Sequence, residues 1–197
     1  MPPISNPSIE SGPAGVQDLI AYRWSPREFL EKPVEPEKLR RLFEAARWAA
    51  SCFNEQPWRF VTATRADREQ FGRVLSLLVE KNQQWAQSAY LIGFSASRKD
   101  FTHNGTPNRF HSHDTGAASA TLALEAAGLG LQAHFMGGFD NKRARSEFAV
   151  PEEFEIGAAF ALGYVDEAKA RLAVRSRKAV NEVVFGTQWG QAANFGA

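Results

Sequence analysis

The chain has 197 residues, 44% of them hydrophobic and 23% charged, which is the balance of a globular domain with a core of its own. Lys plus Arg number 23 and Asp plus Glu 22, so no general affinity for nucleic acid or anionic membrane is expected. A single cysteine excludes an intrachain disulfide and a cysteine-based metal cluster, and suits a reducing, cytoplasmic setting.

Residues 1–13 are rich in Pro, Ser, Asn and Gly, lack the apolar stretch of a secretion signal and predict a flexible tail; 14–197 predict one domain. Val16 to Tyr22 predicts a short helix. Pro36 to Ala50 predicts a longer one, with Leu39, Leu42, Phe43 and Ala46 at helical spacing and Pro36 in the first turn. "WRFVTAT", Trp58 to Thr64, has the β-prone composition of a strand, and Asp67 to Val79 predicts a helix. "AYLIGFSAS", Ala89 to Ser97, is an apolar run that predicts a buried strand. Lys99 to His113 shows no period and predicts a loop or mobile segment.

Asp114 to Leu131 predicts a central helix of small residues, ended by Gly128 and Gly130. Gln132 to Met136 predicts a strand, Asp140 the N-cap of a helix that stops before Pro151, and Ile156 to Val165 the last strand. Four strands separated by helices indicate a layered α+β or α/β domain. The last 25 or so residues, with Val183, Val184, Phe185, Trp189 and Phe195, are too apolar for a free tail and are expected to pack on something, such as a second subunit.

Several clusters could carry chemistry. Arg23-Trp24-Ser25-Pro26-Arg27 reads as a solvated basic turn or as the donor set of a phosphate, and Arg175-Ser176-Arg177-Lys178 could complete it. Gly137-Gly138 after a strand is a simple turn, or a place where a flat ligand meets the backbone. His111-Ser112-His113-Asp114 matches no common zinc spacing and fits better a helix N-terminus capped by Asp114 or Ser112. Cys52 lacks the surroundings of a known thiol nucleophile, and an inert cysteine is the simpler reading. Neither a dinucleotide fingerprint nor a P-loop occurs.

Taken in order, these pieces resemble the nitroreductase family of FMN-dependent oxidoreductases. "YRWSPREF" resembles the family's opening Arg-Arg-Ser-x-Arg-x-Phe. "ASCFNEQPWRF" is similar to its Ala-Pro-Ser-Ser-x-Asn-x-Gln-Pro-Trp block, the most specific of the matches. "DTGAASATLALEAAGLGLQAHFMGGFD" resembles the central helix and Gly turn, and "RSRKAVNEVVFGTQWG" the end of the chain. Ala50 stands where the family usually has Pro, and Lys178-Ala179 replaces a common basic-Pro pair.

The resemblance implies a three-layer α+β homodimer, with a mixed, largely antiparallel sheet between helices and an FMN at the subunit interface. It implies that Arg23, Ser25, Arg175 and Arg177, beside Trp24, hold the phosphate. Arg27 would lie near the pyrimidine edge of the flavin, with Asn82 a further candidate there. Met136, Gly137 and Gly138 would face the reactive edge. Ala50, Ser51, Cys52, Asn54 and Gln56 would reach the flavin of the partner subunit. Phe101 and Phe110 would line the acceptor pocket, with His103 and His111 nearby.

NAD(P)H would deliver hydride and leave, and a nitroaromatic or quinone would collect the electrons at the same face, with no side-chain acid or base required. Alternatives that the residues leave open are specialised flavin chemistry on the same fold, a non-catalytic FMN-binding protein and a Cys52 hydrolase.

Overall fold

In the computed structural model, residues 16–170 and 175–195 are described. The expected tail at 1–13 lies outside them. Alternating side chains on each strand must find cover on two faces, and the order of elements supplies it. Strands β1 (Trp58–Thr64), β2 (Leu91–Arg98), β3 (Leu131–Met136) and β4 (Phe154–Tyr164) form one sheet in the order β1-β2-β4-β3. Among the described residues every pairing is antiparallel, in keeping with the largely antiparallel sheet expected.

Central β2 is buried from Leu91 through Ser97, which explains its unbroken apolar run. On β4, Ala159 and Ala161 face one way and Phe160 and Leu162 the other, and the two sets belong to separate cores. The first core is closed by α3 (Arg68–Leu77), α4 (Glu80–Ala86) and α6 (Asn141–Glu147), through Phe71, Val74, Leu77, Ala86 and Ala144. The second is closed by α2 (Pro36–Arg47) and α5 (His111–Gly128), through Leu42, Ala46, Ala118, Leu122 and Ala126. Three layers result, as the resemblance implied.

Local chemistry sets the boundaries. Pro36 opens α2. Asp67 accepts the Gln70 amide at 3.1 Å to start α3, and Asp140 accepts that of Arg143 at 3.0 Å to start α6, as expected. Gly130, at φ +73°, lets the chain leave α5 and turn directly into β3. Two expectations need correction. Helix α4 was not foreseen, because Lys81, Asn82, Gln83 and Gln84 give it no apolar stripe. Helix α5 begins at His111 with Phe110 at its N-cap, so neither Asp114 nor Ser112 caps it; Asp114 sits in the first turn with its side chain engaged elsewhere.

The remaining helices, α1 (Asp18–Tyr22) and α7 (Glu167–Ala170), flank the sheet's ends in sequence. No helix among the described residues is long and apolar enough to cross a membrane.

Gly93 on β2 shows how closely the layers are fitted. A Cβ there would run into the Val61 carbonyl oxygen and lie 2.8 Å from Phe160 Cζ. The first neighbour is backbone and cannot swing aside. Gly93→Ala is expected to destabilise the fold by about 1–3 kcal/mol, as overpacked cores do, read as a lowered urea midpoint; an unshifted midpoint would contradict this packing.

Candidate functional site: an arginine-rich edge and a strained loop

Edge strand β3 organises the first half of the site. Its residue Gln132 is fully buried, and its amide is spent on the incoming N-terminal segment: Oε1 accepts Trp24 N–H at 3.0 Å, and Nε2 donates to Tyr22 O at 3.4 Å. Two residues on, His134 Nδ1 lies 2.6 Å from Pro26 O. A carbonyl only accepts, so this nitrogen carries the proton. The His134 ring stacks on Trp85 at 4.5 Å. Burial, with smaller contributions from Arg27 and Arg175, holds His134 below the ordinary histidine pKa against the opposing bond to Pro26. A neutral His134 and Gln132 therefore lash residues 22–26 along β3.

That segment carries three of the expected site residues, Arg23, Trp24 and Ser25, and a fourth, Arg27, follows it directly. Arg23 is half-buried, whereas Ser25 and Arg27 are exposed. The Trp24 side chain is partly buried against the first core, with the indole N–H buried and unpartnered among the described residues. Burial, then the charge of Arg177, lowers the pKa of Arg23, which brings the start and the end of the described chain together. Arg175 is likewise felt at His134 beside Arg27. The Arg177 guanidinium donates to Arg175 O at 3.0 Å. Among the described residues, no carboxylate forms a salt bridge with Arg23, Arg27, Arg175 or Arg177. Cations left unpaired in this way favour an anionic ligand, although Glu28 and Glu31 share a second cleft with Arg27. Arg23 and Ser25 also border a cleft of about 520 Å³, walled by α5 through Thr115 and Ser119 and by β3 through Phe135.

The glycine turn follows β3. Leu78 bridges to Phe139, and Val79 N–H and Asn82 Nδ2 both donate to Gly138 O, at 3.0 and 3.1 Å. Asn82 is thus tied to the glycine turn. The two glycines have different reasons to be glycine. At Gly138 a Cβ would strike Asn82 Nδ2 at 2.7 Å, so the constraint is internal packing. At Gly137, exposed and next to buried Met136, a Cβ would meet nothing within 4 Å, so the backbone face there is open to a ligand.

The second half of the site is the loop after α2. Ala50 is exposed, and Cys52–Asn54 form a single 3-10 turn. Phe53, Asn54 and Gln56 have φ of 52°, 55° and 52°, the left-handed region that costs non-glycine residues about 1–3 kcal/mol each. Such a run persists only if its surroundings over-determine it. Ser51 Oγ accepts Gln56 N–H at 3.0 Å, Gln56 Nε2 donates to Asn54 O at 3.2 Å, and Asp114 Oδ2 accepts Cys52 N–H at 2.9 Å. The Glu55 carboxylate takes Thr102 N–H at 3.0 Å and Thr102 Oγ1 at 3.1 Å.

The last pair ties the 99–113 segment to this loop; 99–110 is a loop, as expected, while His111–His113 already belong to α5. The segment closes on itself through an Asp100–Pro107 bridge, and buried Asn108 accepts Phe110 N–H at 3.0 Å. Phe101 is buried beneath exposed Phe53, with ring centroids 5.7 Å apart, and His103 lies against both. Phe110 stands exposed at the start of α5. His111 Nδ1 lies 2.8 Å from Ser97 Oγ, and its Nε2 lies 3.4 Å from Glu155. Among the described residues no three His, Cys, Asp or Glu converge to hold a metal ion.

The C-terminal stretch folds back on itself, with Gly186 N–H donating to Gln191 O and Phe185 packed on Trp189, yet leaves Val180, Val183, Trp189 and Phe195 exposed.

Gln132, His134, Glu55 and Asp114 were not read from the sequence as site residues. The first two carried a signal: polar side chains at positions i and i+2 of an apolar strand share one face and need partners there.

Comparison with known proteins places this geometry. The nitroreductase family profile matches residues 20–164. A Xanthomonas oryzae pv. oryzae protein, provisionally named NADH dehydrogenase/NAD(P)H nitroreductase, is 29% identical over 174 residues, covering 79% of this chain and 87% of its own. A crystal structure described as an oxidoreductase containing FMN superimposes with a TM-score of 0.82 at 36% identity, over 90% of this chain and 94% of its own. A Desulfovibrio desulfuricans structure, provisionally described as a nitroreductase in complex with FMN, shares the fold with a TM-score of 0.71 at 24% identity, over 87% and 96%. With the profile spanning most of the chain and covering both the lashed basic segment and the strained loop, the protein belongs to the nitroreductase family.

Proposed function

We propose that this protein is an FMN-dependent oxidoreductase that takes hydride from NAD(P)H and passes it to an organic acceptor, such as a nitroaromatic or a quinone, in two alternating half-reactions. The observation that carries the reading is the unpaired set of Arg23, Arg27, Arg175 and Arg177 around one segment, next to the open backbone of Gly137. A ligand with a dianionic end and a flat ring matches both features. The related structure that contains FMN supports the choice of ligand, and the nicotinamide-dependent name of the Xanthomonas relative supports the donor.

The residues fit that group. Arg23, Ser25, Arg175 and Arg177 would hold the phosphate, where guanidinium forks and a hydroxyl supply several charge-assisted donors. Arg27 and Asn82 would stand at the pyrimidine edge, where a cation favours the reduced ring. Met136, Gly137 and Gly138 would present backbone without a side chain in the way. Bound FMN supplies the hydride chemistry itself, so no side-chain acid or base is needed. The loop of Ala50, Ser51, Cys52, Asn54 and Gln56 would reach the flavin of a second copy, and the exposed apolar C-terminal stretch would pack on that copy. Phe110 at the surface, and Phe101 supporting Phe53, would border the space left for the acceptor.

The first test is the visible spectrum of the purified protein, alone and after anaerobic NAD(P)H. A flavin spectrum that bleaches is expected; absence of flavin after incubation with FMN and dialysis would sink the reading. Replacing one guanidinium should then matter locally. Arg23→Gln is expected to weaken FMN binding about 10–100-fold, the size of a lost charge-assisted hydrogen bond, by fluorescence titration. An unchanged dissociation constant would remove Arg23 from the phosphate site.

The clamp predicts a pH effect of its own. His134 titrates lower in the folded chain than its ordinary value of 6.5, chiefly through burial. The unfolded chain therefore takes up the proton first, and the stability that His134 contributes above that value is lost as pH falls through its folded pKa. Denaturant unfolding from about pH 7 to about pH 5 should show a steeper loss of stability in the parent than in His134→Gln, and parallel curves would refute the assignment.

A further inference from the structure

Among the groups that the proposed chemistry does not use, Asp114 is the most constrained. Its side chain is buried, with the residue 4% exposed, and it lies in the first turn of the central helix without capping it. A buried carboxyl group needs partners, and Asp114 has two. Its Oδ1 lies 3.2 Å from Nδ1 of exposed His113, and its Oδ2 accepts the Cys52 N–H at 2.9 Å, across 62 residues of chain.

That second bond falls on a particular residue. Cys52 immediately precedes left-handed Phe53 and Asn54, and Gln56 follows in the same region. The other bonds that hold this loop come from within it or its immediate neighbours, apart from the grip of Glu55 on Thr102. Asp114 is the point at which the strained loop is referred to the helical scaffold. A loop held in costly backbone conformations relaxes when its anchor is removed, because the relaxed conformers are favoured by the strain released.

We infer that Asp114 is a positioning residue for the Ser51–Gln56 loop. By accepting the Cys52 amide it fixes the orientation in which Cys52 and Asn54 meet the flavin, without touching the flavin itself. The inference rests on the FMN reading given above, and concerns a residue that reading does not include.

Cys52 provides an independent reporter, since it is the only cysteine and lies on the braced loop. Three forms of the full-length protein are compared: parent, Asp114→Ala and Asp114→Asn. Asn keeps an oxygen that can accept the Cys52 amide, whereas Ala does not. For each form, the rate of Cys52 modification by a neutral aromatic disulfide is measured without FMN, and the FMN dissociation constant is measured by fluorescence quenching.

The expected result is that Asp114→Ala reacts about tenfold faster at Cys52 and binds FMN about tenfold more weakly, the size of one lost buried hydrogen bond, while Asp114→Asn stays within about threefold of the parent in both. Rescue by Asn distinguishes a hydrogen-bond anchor from mere filling of the core. Equal losses in both variants would overturn the inference, as would weaker FMN binding without a change at Cys52, or faster Cys52 modification with FMN binding intact. Should Asp114→Ala fail to fold, Asp114→Ser, which is too short to reach the amide, takes its place with the same expectations. If the parent binds no FMN, the functional reading itself fails and the inference with it; if the parent binds FMN and Asp114→Ala behaves as the parent does in both measurements, only the role of Asp114 is lost.

Discussion

A single buried amide, Gln132, is the constraint around which the basic half of the site is arranged. A polar side chain buried in a sheet must find partners. Gln132 finds them in the segment Tyr22–Pro26, accepting the Trp24 N–H and donating to the Tyr22 carbonyl from a fully buried position. His134 repeats the device one pleat further on. The placement of Arg23 and Ser25 follows, since the residues on either side of each are tied to β3, and Arg27 comes directly after the last tie at Pro26.

The same economy links the rest of the site to the sheet. The bridge between Leu78 and Phe139 fastens the start of α4 to the turn after β3, and so carries Asn82 to Gly138. On the other side, α5 serves two masters. Its C-terminal half packs Leu122 and Ala126 into the second core, while its first turn offers Asp114 to the loop after α2. Small residues such as Gly116, Ser119 and Ala120 leave room beside it, which is where the cleft runs. Packing and ligand geometry are set by the same elements.

Much of this was legible in the sequence, for physical reasons that can be named. Strand β1 was read to the residue because its β-branched and aromatic side chains alternate, and the helix after Asp140 because a carboxylate before a polar run is a cap. The basic clusters at 23–27 and 175–177 and the Gly-Gly turn were visible as residue types, and the resemblance to a family assembled them. What periodicity could not supply was partnership. Helix α4 hid because its outward polar face dominates its seven residues. The ties of 99–113 are specific bonds, such as Glu55 to Thr102, between stretches with no shared pattern. That Trp24 would lean its ring on the first core was not visible either, because its neighbours in sequence are polar and charged.

The lash between Trp24 and Gln132 joins residues 108 apart in sequence. Contacts of such separation close large loops and form only once most of the chain's topology is in place. The arginine site consequently has no existence in a fragment or in a partly folded intermediate; it is a property of the completed sheet. Any ligand that settles there draws its binding energy from the fully folded state alone, and by mass action transfers it to the cooperative stability of the whole domain rather than to one loop.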